Sequence, residues 1–253
     1  MEEIVDLSRG FLPASDPLKK LPSDFSAWEE LAAQLPKLLV GNQFRKNLEA
    51  LPAFPVSKLQ TPAEQERGML LLSFLAHAYI WGCLPLVDTI PAILAQPWCA
   101  VAALLERPPI LSYASYALHN WYRLDPRGPL ALGNIALLQN FLGGIDEEWF
   151  VLVHVDIEEK AGAALQKLIP AQKAAENKDS ETLLACLKQI TNSLDKICST
   201  LDRMPERCDP YIYYNRVRPY IHGWKNNPAL SKGLIYEACF NNQPQFYRGE
   251  TGA

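Results

Sequence analysis

A single imidazole set in an apolar run is the first feature of this chain that could do chemistry. It is His154, within residues 149–168, WFVLVHVDIEEKAGAALQKL. On a helix, Phe150, His154, Ile157 and Ala161 share one stripe, and Asp156, Glu159 and Lys160 read as the opposite, polar face. That placement suits either a core histidine bonded to a backbone carbonyl or a functional group. Arg218 is the second feature, in residues 209–227, DPYIYYNRVRPYIHGWKNN, where it follows Tyr213 and Tyr214 by five and four positions. A guanidinium among aromatics either lays its stem on apolar surface with its head in water, or clamps a ligand carboxylate through two parallel hydrogen bonds. Tyr113, Tyr116 and Ala117 share a helical face that could be ordinary packing or the wall of a flat pocket. The segment 246–253, FYRGETGA, could contact a ligand through its backbone N–H groups or be a mobile loop.

Other chemistries find little support. The 253 residues carry 24 Lys+Arg against 28 Asp+Glu, a formal charge of −4, which disfavours a nucleic-acid partner. The six cysteines form no CxxC pair and lie outside ligand spacing of any histidine, so zinc has no obvious site and reduced core thiols are expected. There is no GxGxxG and no P-loop. No apolar run reaches bilayer length, and Met1-Glu2-Glu3 opens with acidic residues where a signal peptide carries basic ones. A soluble, cytoplasmic protein without a membrane partner is expected.

The elements that must position these residues read as helices. Residues 1–22 form a proline-interrupted arm lying on something larger. Asp24 or Ser26 can cap a helix that Pro36 breaks, and a second short helix runs from about Gln43 to Leu51. Thr61-Pro62-Ala63-Glu64 is a capping box before the apolar run Met69 to Trp81, a central helix in which His77 reads as a core histidine. The prolines of 82–110 separate short helical pieces such as Trp98 to Leu105, and 112–121 continues as a helix. The turn-rich stretch 123–134, RLDPRGPLALGN, is the best domain boundary. The His154 helix ends near Leu168 before Pro170, a polar linker spans 174–179, and an amphipathic helix follows with Leu183, Leu184, Leu187, Ile190, Leu194 and Ile197 on one side. No strand alternation persists, so the fold class is all-α.

Four separated motifs now form a pattern: PPILSYA at 108–114, WFVLVHV at 149–155 with Glu158, RVRPYIHGWKNNP at 216–228, and GLIYE at 233–237 with the glycine-rich tail from Gly249. Together they resemble the indoleamine 2,3-dioxygenase family of haem enzymes, over nearly the whole chain. The resemblance implies a small N-terminal helical domain, 1–134, and a larger haem-binding one, 135–253, that is partial in this chain. It implies haem b and dioxygen acting on a small indole substrate, opening the C2–C3 bond of tryptophan to give N-formylkynurenine in tryptophan catabolism. Carried over by motif, Tyr113 and Tyr116 line the distal pocket, Phe150 packs on it and His154 takes the distal position as the catalytic residue. Tyr213 stacks near the indole, Arg218 binds the substrate carboxylate, and Gly249, Glu250 and Thr251 close over the haem propionate and substrate ammonium. None of the four histidines is assigned as metal ligand, the proximal histidine being expected beyond Ala253. The alternative is a non-catalytic haem- or indole-binding protein that keeps the scaffold.

Overall fold

In the computed structural model of the protein, residues 7–249 are described. The capping box forms as its residues require: Thr61 Oγ1 accepts the Glu64 amide at 3.2 Å, and Glu64 Oε2 accepts the Thr61 amide at 2.8 Å. It starts helix α4 (Pro62–Trp81), in which every residue from Arg67 to Ile80 is buried. An all-round apolar helix needs cover on all sides. Helices α1 (Ser26–Ala33), α2 (Leu35–Val40) and α3 (Phe44–Glu49) lie on the N-terminal side of the chain from it. The break expected at Pro36 is present: α1 ends at Ala33, and Pro36 sits in the first turn of α2, where its missing N–H costs nothing. Neither Asp24 nor Ser26 caps α1, which grows out of a single 3-10 turn, Ser23–Phe25, and has Phe25 at its cap.

The chain runs as a helix through two prolines that were expected to stop it. Helix α5 (Ala92–Leu104) contains Pro97, held by a buried face of Leu94, Trp98 and Val101 and by Trp98 Nε1 donating to Ser73 Oγ of α4 at 3.0 Å. Helix α6 (Ile145–Glu176) is 32 residues long and passes through Pro170 and the first half of the expected linker. Pro170 is exposed, as is Gln166, whose carbonyl loses its i+4 donor and meets water instead. An interior proline costs about 3 kcal/mol, which packing along helix α7 (Ser180–Leu201) offsets.

The α6–α7 pair is built differently from its hydrophobic pattern. Buried on α7 are Cys186, Ser193 and Thr200, whereas Leu184, Leu187 and Leu194 remain about half exposed. Asp156, expected on a solvent face, is 1% exposed. Its carboxylate accepts Leu132 N at 3.2 Å and Thr200 Oγ1 at 2.8 Å, and pairs with Lys160.

The architecture is all-α, as expected, with four short strands added among the described residues. Strand β1 (Thr89–Ile90) pairs in parallel with β4 (Ile235–Tyr236), and β2 (Trp121–Arg123) antiparallel with β3 (Ile135–Leu137). Two or three residues are too few for alternation to register. The stretch 112–121 is a π-type turn, Ala114–Leu118, running into β2 rather than a regular helix. The expected boundary at 134/135 falls at the end of the β2–β3 loop. A buried cluster extends from Leu12 through α4 and α5 to Phe141, Val151 and Trp224, and a smaller one joins Trp149, Val153 and Cys208. All six cysteines are free thiols, three of them buried. No helix among the described residues is long and apolar enough to cross a membrane.

Candidate functional site

Helix α6 presents Phe150 and His154 side by side, their ring centroids 4.4 Å apart. His154 Nδ1 lies 2.7 Å from the Phe150 carbonyl, one turn back. A carbonyl only accepts, so Nδ1 carries the hydrogen, and in the neutral ring Nε2 is an acceptor. The imidazole therefore meets both readings: one nitrogen is held by backbone, and the other is available on a half-buried face. Toward an indole N–H this ring accepts; donation from Nε2 belongs to the imidazolium alone. Tyr213 stacks on Phe150 at 3.8 Å and 20°, and Tyr113 stands edge-on to His154 at 6.2 Å. Tyr113 is fixed in turn by donating its hydroxyl to Glu158 Oε1 at 2.9 Å.

The N-terminal arm lies directly on this face of α6. Gly10 has a left-handed φ of +70°, and a Cβ there would sit 1.8 Å from the Glu158 carbonyl oxygen; a Cβ on Gly162 would sit 2.5 Å from that of Ser8. The arm thus covers the helix turn that carries Tyr113's partner, in keeping with its expected place on the surface of something larger.

Arg218 reaches the same neighbourhood through an irregular turn. Residues 213–217 form a π-type turn in which the Arg218 amide donates to the Tyr213 carbonyl, five residues back. On a regular α-helix the fifth residue falls well off the face of the first; the wider π turn brings it back above it. The guanidinium stands 5.0 Å from the centre of the Tyr214 ring. It lines a cleft of about 300 Å³ with His222, Lys225, Arg248 and Gly249, three cationic side chains and, among the described residues, no carboxylate. Burial, and then Arg218, hold the His222 imidazole below its ordinary pKa.

Two backbone segments cross at this cleft. A Cβ on Gly223 would lie 2.2 Å from Gly249 N, and one on Gly249 would lie 2.3 Å from Gly223 N. The Tyr247 carbonyl accepts both Trp224 N at 3.0 Å and Lys225 N at 2.9 Å, fastening the strands of the crossing. Beneath it, His77 links three segments. Its Nδ1 donates to the Tyr220 carbonyl at 2.7 Å and its Nε2 accepts the Leu111 amide at 3.1 Å, in complete burial. His77 is thus the core histidine that was expected, and it ties the turn carrying Arg218 to α4 and to the segment leading into Tyr113.

The expected site residues divide into three groups. Tyr113, Phe150, His154 and Tyr213 come together as one aromatic wall, with Arg218 one turn above Tyr213 and Gly249 in its cleft. Tyr116 goes elsewhere: it is 1% exposed and stacks with Phe74 in the core. Glu250 and Thr251 lie outside the described residues. Sequence reasoning missed Glu158 as the partner of Tyr113, and Lys225, Arg248 and His222 as neighbours of Arg218; charged residues on irregular backbone carry no periodic signal. His154→Ala is expected to leave thermal unfolding within a few degrees of wild type while weakening binding of indole relative to N-methylindole; an unfolded variant would restore the purely structural role.

Together, a half-buried aromatic wall with an acceptor nitrogen and an adjacent cationic cleft define a helical protein suited to a flat apolar ligand with an acidic group. The chain belongs to the indoleamine 2,3-dioxygenase family, whose pattern matches residues 3–253. It is 34% identical over 238 residues to rat (Rattus norvegicus) indoleamine 2,3-dioxygenase 1, covering 93% of this chain and 58% of the relative. It is 35% identical over 246 residues to human (Homo sapiens) indoleamine 2,3-dioxygenase 2, covering 96% and 60%. A 6-hydroxytryptophan 2,3-dioxygenase of Fusarium equiseti is 31% identical over 252 residues, covering 98% and 62%. The chain thus spans about three fifths of the length of these relatives.

Proposed function

We propose that this chain forms the substrate side of a cytoplasmic, haem-dependent dioxygenase that opens the indole C2–C3 bond of L-tryptophan or a related indoleamine to give N-formylkynurenine, within tryptophan catabolism. The observation that carries the reading is the aromatic wall of Phe150, His154 and Tyr213, with Arg218 of the cationic cleft one turn on from Tyr213. Family membership favours it over a non-catalytic binding protein, since the relatives bear dioxygenase names.

The residues fit one face of a haem with an indole against it. Phe150 and Tyr213 offer stacked rings, and the cationic cleft suits a propionate or a substrate carboxylate. His77 would not be free to hold a metal, both its nitrogens being engaged in the core, and His119 sits apart, beside Glu66. Haem b, when bound, supplies the redox-active iron at which dioxygen is activated. The chain's own part is to bind, orient and exclude water: Arg218 takes the carboxylate, Phe150 and Tyr213 hold the ring plane, and His154 Nε2 accepts the indole N–H.

Arg218→Ala tests the clamp in the haem-loaded protein. A charge-assisted contact is worth about 1.5–3 kcal/mol, or roughly 10- to 150-fold. The KM for L-tryptophan should rise by that factor while that for tryptamine, which has no carboxylate, changes by less than about twofold. Equal losses for both would reject the carboxylate role.

A further inference from the structure

Two of the six free thiols stand together although they lie far apart in the chain. Cys99 is on α5, and Cys239 is three residues past β4. Two further contacts fasten these segments side by side. Glu237 Oε2 accepts the amide of Ala92, the first residue of α5, at 2.7 Å, and the Tyr236 ring packs on Trp98 with centroids 5.6 Å apart. Ala92 and Cys99, seven positions apart, share one face of that helix. Both cysteines are half-buried against the same core, and the Cys99 thiol interacts directly with that of Cys239.

The backbone on either side of Cys239 is held in a conformation that most side chains disfavour. Ala238 and Phe240 have left-handed φ values of +61° and +50°, and Asn241 and Asn242 follow at +52° and +56°. Asparagine visits that region readily, whereas alanine and phenylalanine do so at a cost. The turn is held by Ala238 N donating to Asn242 Oδ1 at 2.8 Å and by Cys239 N donating to the Tyr236 carbonyl at 3.0 Å. Such strain persists where the surroundings over-determine it, and here it sets Cys239 against Cys99.

We infer that Cys99 and Cys239 are a redox-sensitive thiol pair that a peroxide oxidises to a disulfide, stapling α5 to the segment that runs on to Tyr247 and the backbone crossing at the Arg218 cleft. Burial, and then the Cys239 side chain, hold the Cys99 thiol far above its ordinary pKa, so attack on the oxidant falls to Cys239. The Cys239 sulfur takes one oxygen from hydrogen peroxide as the O–O bond breaks, giving a sulfenic acid and one water. The Cys99 sulfur then displaces that oxygen: the S–S bond forms, the S–O bond breaks, and the Cys99 proton leaves with the oxygen in a second water. The two thiols give up two electrons in all, and the peroxide is reduced to water.

Peptide mapping of the full chain after treatment with hydrogen peroxide tests the pair, and it is read in the wild type, whatever the stability of any variant. One intramolecular disulfide should join the Cys99 and Cys239 peptides, with Tm raised by roughly 5–10 °C and returned to its starting value by dithiothreitol. In Cys99→Ala the reaction should stop at the Cys239 sulfenic acid, which dimedone labels, and the rise in Tm should vanish. Cys239→Ser should leave Cys99 unlabelled under the same treatment. Oxidation of the exposed Cys198 without a link between Cys99 and Cys239, a link that leaves Tm unchanged, or dimedone labelling of Cys99 in Cys239→Ser would each overturn the inference.

Discussion

Replacing His77 by leucine is expected to lower stability by about 3–5 kcal/mol at pH 7, since it leaves two buried backbone groups unpaired at roughly 1–3 kcal/mol each. Those groups are the Tyr220 carbonyl and the Leu111 amide, 143 and 34 residues away in sequence. The imidazole also makes the fold acid-sensitive in a way that leucine cannot. Burial pushes its pKa down from 6.5 to about 4, outweighing the Tyr220 carbonyl, which favours the cation, while His222 adds to the drop. A cation would turn its Nε2 hydrogen toward the Leu111 N–H, which is itself a donor. Because the unfolded chain takes up the proton first, stability is full above pH 6.5 and is lost as pH falls toward about 4. At about 1.4 kcal/mol per pH unit, the loss approaches roughly 3 kcal/mol. Denaturant unfolding at pH 7.5 and 4.5 should therefore show His77→Leu far below wild type at the higher pH and the gap narrowed at the lower. A constant gap would mean that other groups cause the acid sensitivity.

His77 also shows where sequence reasoning succeeds. An imidazole within fourteen consecutive buried residues of α4 has few choices, so its core role was readable from the apolar run alone. Its partners were not, because Leu111 and Tyr220 come from segments that no local pattern joins to it. The capping box at Thr61 was legible because its two bonds span three residues. The prolines misled for the opposite reason. Pro97 and Pro170 were read as breaks, yet α5 and α6 continue through them, because long-range packing outweighs a local cost of about 3 kcal/mol.

The candidate site was legible in its residue types more than in its geometry. A regular-helix periodicity grouped Tyr113 with Tyr116, but the π-type turn at Ala114–Leu118 leaves Tyr113 beside His154 and sends Tyr116 into the core against Phe74. The same kind of turn at Tyr213–Val217 does the reverse for Arg218, setting it above a tyrosine from which an α-helix would have rotated it away. The fold class needed no such detail, since the long helices α4, α6 and α7 declare themselves through composition and length.

Gly223→Ala should be the more damaging of the substitutions in the Arg218 cleft, although it adds one methyl group. That methyl would meet Gly249 N at 2.2 Å and the Tyr247 carbonyl oxygen at 2.5 Å, both backbone atoms with no rotamer to yield. The two segments must separate. Separation breaks the bonds from Trp224 N and Lys225 N to the Tyr247 carbonyl, and it withdraws Gly249 and Arg248 from the wall they share with Arg218. Overpacking of this kind costs typically about 1–3 kcal/mol, and two lost hydrogen bonds add about 1 kcal/mol each. The damage should stay local, because Trp224 itself remains packed among Trp98, His77 and Tyr236. The expected result is a Tm lower by several degrees, faster amide exchange at Trp224 and Lys225 than at α4, and weaker binding of indole carboxylates by at least the factor seen for Arg218→Ala. Unchanged exchange at those two amides, with wild-type carboxylate binding, would show that the crossing does not hold the cleft together.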